Sequence, residues 1–401
     1  NVAVGYAALE QNTTGAYNTA VGAAALDAVT TSSMNTAVGY NALTSNTVGN
    51  NTAVGYGCLE SNTTGQRNTA VGGACMDANT TGSYNVAVGY NAMGANSTAS
   101  NNTAVGQDAM LSNTTGGNNT ALGINAMDAN TTGSENTAIG AFALDNCSTA
   151  SNNTAVGCEA GEKTTSGYQN TYLGFRAGEE LTTGYQSTLI GAYACDDCTT
   201  GIKNTAVGWD AGANVTTGGH NVYIGTQAGY GHVTGSNSIY IGNVSMVGGS
   251  NEGQAICIGT SVSSKGNYRI TFGTDANGRV YNQYSANATW TRESDRRLKK
   301  DIHTNTDCGL NFINDLRTVT YKWKAPSEVP SEFNNYDANQ TESAYTKKLY
   351  GFIAQEVKEA LDKHNITDFN GWTEDPDGLQ GISYEMFVMP LVKAVQELSA
   401  K

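Results

Sequence analysis

Cys195 and Cys198 form a C-x-x-C, a spacing that can grip a metal ion or carry redox chemistry. No second pair and no neighbouring histidine completes a zinc set, so both sulfurs read as core fillers. Cys58 and Cys75 take a slot that is Ala in most copies of a repeat, one period apart. A disulfide between them is geometrically conceivable, and buried free thiols are the expected state. The carboxylates of the repeat show no phased pair suited to glycoside hydrolysis. Several turn asparagines (Asn12, Asn62, Asn79, Asn113 and Asn130 among them) are N-x-S/T sequons, which Asn/Thr-rich turns generate by composition alone. Ser294, followed by Asp295, reads from its residues as a helix N-cap with an acid in the first turn. His303 and His364 read as surface histidines. No cofactor and no metal site are expected.

The element that must position everything before residue 260 is a repeat. Asn-Thr-Ala-Val-Gly or a close variant opens at Asn1 and recurs to Ala255, sixteen copies in all. The period is seventeen residues, one short only between Asn35 and Asn51. A fixed period of this length means one unit stacked on itself. The unit reads N-T-A-V-G-Y-x-A-L-x-x-N-T-T-G-x-x, and its positions are numbered below as slots 1 to 17.

Slots 2 to 4 are alternating and β-branched, so they predict a short strand. Slot 4 is strictly aliphatic (Val4, Leu122, Ile139, Ile241) and is expected to point into the core. Slot 3 is Ala in most copies and Tyr at Tyr172, Tyr223 and Tyr240, which predicts a subunit interface or solvent there. Gly at slot 5 supplies a bend or close backbone approach. A second apolar patch at slots 8 and 9 (Ala8-Leu9, Ala92-Met93) predicts a second short strand. From Ala160 onward it becomes Ala-Gly, with Leu181, Val215 or Val233 expected to restore the bulk. Asn-Thr-Thr-Gly at slots 12 to 15 predicts an outer return turn. Sixteen coils at ~4.8 Å give a rod of roughly 75 Å.

Charge and proline mark where the repeat stops. Residues 1–293 hold 8 Lys/Arg and 18 Asp/Glu, and residues 294–401 hold 13 and 17. All four prolines lie beyond residue 325, as a stack that needs every backbone N–H requires. The organisation expected is a solenoid shaft over 1–260, a transition segment with strands over 261–293, and a separate domain over 294–401. A net charge of −14 argues against nucleic-acid binding. No apolar stretch reaches membrane-spanning length, so no membrane insertion is expected. The chain opens inside a repeat, so an N-terminal portion with any anchor or secretion signal is expected upstream. Each coil carries few bulky apolar residues, which predicts that several copies pack together.

The N-T-A-V-G units resemble the head repeats of trimeric autotransporter adhesins, with a longer period. Beyond them, SDRRLKKDI at 294–302, VTYKWK at 319–324, YGFIAQEV at 350–357 and ISYEMFVMPLVKAVQEL at 382–398 form an ordered set. That set resembles the C-terminal intramolecular chaperone domain of phage tailspikes and tail fibres, the self-cleaving family typified by endosialidases. The resemblance implies a domain that trimerises, templates folding of the β-structure before it and cuts itself off before its motif serine. Carried onto this chain, Ser294 is the nucleophile, Lys299 the base, and the bond between Glu293 and Ser294 the one cut. Such a lysine needs a depressed pKa, which Arg296, Arg297 and Lys300 would favour by their charge. Asp295 and Arg297 fit the motif as supporting residues. Gln355 and Glu356 are candidate lining residues that an amphipathic helix over 354–364 explains as well.

Phe387, Leu391, Ala394 and Leu398 have the 4-3-4 spacing of a coiled-coil seam, with Pro390 kinking or delaying the helix start. The fold class expected is mainly β: a trimeric parallel β-solenoid or β-roll shaft, then a small α+β chaperone domain ending in a coiled-coil helix. The function expected is that of a phage tail-fibre or tailspike shaft in host attachment, with a single-turnover serine autoprotease for maturation. The partners expected are two further copies in a homotrimer and a host-surface receptor, either a glycan or a surface protein. The place expected is the virion or the extracellular surface. The alternative is a cell-surface adhesin or extracellular filament using the same chaperone domain.

Overall fold

The computed structural model describes all residues except 250, 275–277, 284–290, 293–295, 297–299, 332–336, 344–346, 375–377, 379 and 401. The chain divides into two compact units, Asn1–Glu293 and Ser294–Lys401. The first is a β-solenoid of about sixteen parallel coils. Each coil contributes one three-residue strand, from Val2–Val4 through Thr103–Val105 to Ile256–Ile258. Every strand pairs in parallel and in register with the same three slots of the next coil, as in Thr103↔Thr120, Ala104↔Ala121 and Val105↔Leu122. Arg269–Thr274 stacks in parallel on the last of these, and Gly278–Gln283 then runs antiparallel along it.

The strand faces are the reverse of the sequence expectation. Slot 3 is the buried one: Ala20, Ala53, Ala104 and Tyr172 are all 0% exposed, whereas Val54, Leu122 and Ile224 at slot 4 are 36%, 47% and 41% exposed. Successive strand residues point to opposite faces, so one of the two must point out. A seventeen-residue coil is too narrow to take Val at both slot 3 and slot 4, and the small residue goes in. Where slot 3 becomes Tyr, the bulk is recovered from across the core. A Cβ at Gly178 would lie 2.6 Å from the Tyr172 ring, and one at Gly212 would lie 2.7 Å from the Tyr223 ring. Tyr172, Tyr223 and Tyr240, together with buried Leu181 and Val215, replace the Leu and Met of earlier coils. Val233 is only half-buried; His232 fills the interior position beside it.

The expected second strand is absent from nearly all described coils, a small exception being the parallel pair Ser245–Met246 and Val262–Ser263. Slots 7 and 9 sit in the left-handed region (Ala24 φ 56, Leu26 φ 54, Met93 φ 52), so that half of the coil turns instead of extending. Its hydrogen bonds run along the stack, as in Met93 N–H to the Ala109 carbonyl at 2.9 Å. Leu9, Leu26, Leu43, Met76, Met93 and Met110 thereby point inward as one core column. At slot 5 the glycine is obligatory. Gly89 has φ +141, and a Cβ there would come within 2.3 Å of the Gly106 carbonyl oxygen.

Two buried asparagine columns hold the remaining turn. At slot 1, Asn85 Nδ2 donates to the Ala99 carbonyl at 2.9 Å, and its Oδ1 accepts the Asn102 N–H at 3.0 Å. At slot 12, Asn79 Nδ2 donates to Asn62 Oδ1 and Asn96 Nδ2 donates to Asn79 Oδ1, each at 2.7 Å. The asparagine of Asn-Thr-Thr-Gly is thus interior, and the second threonine is the outer residue. The sequon asparagines Asn62, Asn79, Asn96, Asn113 and Asn130 are 0% exposed. In the short coil the Thr-Thr step loses one residue: Val48 accepts from both Asn35 and Asn46, the role Gly82 plays for Asn68 and Asn79.

Among its described residues the second unit holds three α-helices, α1 (Leu310–Asp315), α2 (Ala354–Lys363) and α3 (Val388–Ser399). It also holds two small antiparallel pairs, Val319–Tyr321 with Leu349–Gly351 and Trp372–Glu374 with Gln380–Ile382. Phe312, Val357, Leu361, Ile366 and Phe387 form its core, with Phe369 5.1 Å from Phe387 ring to ring. α3 fastens to α1 through Glu397, whose Oε2 accepts the Leu310 N–H at 2.8 Å.

Candidate autoprocessing site

Glu293, Ser294, Asp295, Arg297 and Lys299 lie outside the described residues. Arg296 and Lys300, the flanking cations, are exposed. The remaining named candidates fall on the first turn of α2. Glu356 is engaged by Arg317, whose Nε donates to Oε2 at 3.0 Å and whose Nη2 bonds Oε1. That guanidinium holds the Glu356 carboxyl below its usual range. Gln355 lines a groove of about 680 Å³, together with Tyr321, Trp323, Phe352, Ile353 and Tyr384.

The groove brings together three segments that are distant in sequence: 319–324, 350–357 and 382–384. VTYKWK enters as a strand that pairs with the start of YGFIAQEV, Thr320 opposite Tyr350. The Tyr384 hydroxyl then accepts the Phe352 N–H at 3.1 Å, tying in the third segment. Arg317 is the residue that sequence reasoning misses here, because no spacing rule links residues 317 and 356. His364 is half-buried and paired, its Nε2 lying 2.6 Å from Asp315 Oδ2. Lys363 and His364 hold the Asp315 carboxyl below its usual range.

The coiled-coil seam divides differently from its expected form. Phe387 and Ala394 are buried inside the unit, while Leu391 and Leu398 are exposed. The outward stripe of α3 consists of Val388, Leu391, Val392, Val395 and Leu398. α1 packs on α3 and takes the face that Ala394 belongs to. Pro390 sits buried in the first turn, where a missing N–H costs nothing, so α3 starts at Val388 without a break.

All eight cysteines are free. Burial pushes the Cys195 thiol well up, Cys147 to about 12 and Cys198 to about 11, which leaves these sulfurs un-ionised at neutral pH. They behave as the apolar fillers the sequence implied. Among the described residues, Glu159, Glu162 and Glu179 form the one acidic grouping close enough to share an ion, and Arg176 and Lys163 already pair with it. Among the described residues, no helix is long and apolar enough to cross a membrane.

Fold and site together define a long β-solenoid joined to a small α+β domain that ends in a helix. Residues 294–369 match the family model described as the chaperone of endosialidase. The chain therefore carries such a domain behind its solenoid, an organisation that fits a tail fibre or tailspike with a C-terminal chaperone. No curated protein and no solved structure matches the chain.

Proposed function

We propose that this chain is the shaft of a trimeric phage tail fibre or tailspike used in host attachment. Its C-terminal unit templates trimer folding and then releases itself by cleavage before Ser294. The observation that carries this reading is the chaperone-of-endosialidase match, which begins at Ser294, the residue where the second compact unit begins. Two outward apolar stripes support the trimer. Slot 4 of the solenoid presents Val, Leu or Ile coil after coil, and α3 presents Val388, Leu391, Val395 and Leu398 at helical spacing. Contiguous apolar surface of this kind marks a contact face.

In the cleavage step, Ser294 Oγ attacks the Glu293 carbonyl carbon while Lys299 takes the hydroxyl proton. The C–N bond breaks, the proton passes to the Ser294 nitrogen, and Glu293 is left as an ester on Oγ. Water hydrolyses that ester and frees the two chains. The acyl group lies one bond from its nucleophile, so positioning is supplied by connectivity.

Intact mass under denaturing conditions tests the proposal. The wild-type chain should yield fragments ending at Glu293 and beginning at Ser294. Ser294→Ala should stay full length yet assemble, since templating needs the fold and not the hydroxyl. Processing of Ser294→Ala at the same bond would return Ser294 to a helix cap.

A further inference from the structure

Slots 2, 4 and 6 all face outward on the strand side of the coil. Across sixteen coils, from Val2, Val4 and Tyr6 to Ile256, Ile258 and Thr260, these three slots contain no Asp, Glu, Lys or Arg. The chain as a whole carries a net charge of −14, so like copies repel each other over most of their surface. The uncharged strip is where that repulsion is least. Sixteen coils at ~4.8 Å, with a width of three to four residues at ~3.3 Å, give roughly 800–1,000 Å² per copy. A standard interface takes about 800 Å² from each partner.

Slot 6 adds a register. It alternates large and small residues along the strip: Tyr6 and Tyr40 flank Ala23, and Tyr56 and Tyr90 flank Gly73. The tyrosines stand well clear of their own chain, Tyr6 86%, Tyr56 65% and Tyr90 63% exposed. Where two adjacent coils both carry Tyr, the rings stack, Tyr40 on Tyr56 at 5.7 Å and 8°. A small residue beside each projecting ring leaves a space that a neighbouring ring can enter. Parallel copies aligned coil for coil set ring beside ring at Tyr6, Tyr40, Tyr56 and Tyr90, each with space to tilt toward the small residue in the next coil, while a shift by one coil leaves one such ring pairing, Tyr40 with Tyr56.

We propose that the strip of slots 2, 4 and 6 is the surface by which the shaft docks on further copies of itself, in parallel and with equal-numbered coils side by side. This rests on the trimer reading above and assigns it a face and a register. Cys158 occupies slot 6 and is half-buried, whereas the other seven cysteines are buried. It is thus a built-in reporter of the strip.

The test treats the unmodified full chain with a short bis-maleimide and maps linked peptides by mass spectrometry, with oligomer mass measured separately. Cys158 should link to Cys158 of another copy. In a Cys158→Ala background, Val88→Cys at slot 4 should also self-link, and Thr81→Cys at exposed slot 14 should not. A trimeric particle in which Thr81→Cys links and neither Cys158 nor Val88→Cys does would overturn the face and leave the trimer standing. Links between different coils, such as Val88→Cys with Cys158 in a single variant, with no equal-numbered links, would overturn the register. A monomeric mass would overturn both this inference and the reading it rests on. The native Cys158 experiment needs no substitution, so a poorly folding variant cannot shield the idea.

Discussion

The slot-1 asparagine column predicts a pH-reversible defect. Asn85 is 0% exposed and joins two coils, accepting the Asn102 N–H and donating to the Ala99 carbonyl. Asn85→Ala orphans the Asn102 N–H and leaves the Ala99 carbonyl only the longer bond from Asn96 Nδ2 at 3.3 Å, so at about 1–3 kcal/mol for a buried unsatisfied group the local loss is about 1–3 kcal/mol. Asn85→Asp has the same shape but a different proton count. Its carboxylate can still accept from Asn102, yet it turns an oxygen toward the Ala99 carbonyl oxygen, where an N–H stood 2.9 Å away. Protonation restores a donor there. The introduced acid therefore titrates above its ordinary value of about 3.9, and every tenfold gain in its proton affinity is worth about 1.4 kcal/mol. A folded pKa above the unfolded one gives stability that is complete below about 3.9 and lost as pH rises through the folded pKa.

The measurement is hydrogen exchange on peptides covering residues 68–119, in wild type and both variants, at pH 4 and pH 7. Repeat arrays open locally, so peptide-level protection is better defined than one global melting free energy. Exchange should be faster than wild type in Asn85→Ala at both pH values, and in Asn85→Asp mainly at pH 7. Equal penalties for Asn85→Asp at the two pH values, or none at pH 7, would refute the assigned donor.

Gly89→Ala, with φ +141 and a carbonyl in the path of its Cβ, should cost about 1–3 kcal/mol in strain alone, whereas Gly73→Ala, with open contact to the Tyr90 ring at 3.5 Å, should be near neutral; thermal melts distinguish them. Burial raises Asp145 and Asp196 to about 6, so their contribution is complete below about 3.9 and is lost as pH rises through about 6; Asp145→Asn should flatten that rise in local exchange. His232 runs the other way. Buried between Tyr223 and Tyr240 and lowered from 6.5, it contributes above pH 6.5 and that stability is lost as pH falls, so coils near residue 232 should loosen in acid while those near 145 tighten.

Much of this fold is written in the period. Stack number, strand position and the slot-5 glycine follow from spacing and residue type, and the structure keeps them. The inward slot is easily misread because Val is bulkier and more apolar than Ala, so burial goes by default to the stronger hydrophobe. The correction is present in the same residues: Gly161 and Gly178 replace Leu or Met on either side of Tyr172, a volume exchange that only a shared interior requires. The second strand misleads because Ala-Leu looks extended, while its left-handed φ values arise from bonds to the neighbouring coil that no single coil encodes. In the C-terminal unit, the α2 helix is legible from its pattern. The Arg317–Glu356 pair and the division of α3 into buried and exposed faces are not, because both depend on which helix packs against which.

The Asn85 bonds have a further consequence for how such a shaft changes in evolution. The N–H to Oδ1 ties of the column run from one coil to its immediate neighbour, at a separation of seventeen residues, or sixteen across the short coil. A coil copied or deleted whole leaves two junctions that look like every other junction, with no orphaned group. Reach can therefore be altered in increments of about one strand spacing, ~4.8 Å, without redesign of either end. Length in this architecture behaves as a count of coils, adjustable without change to any one of them.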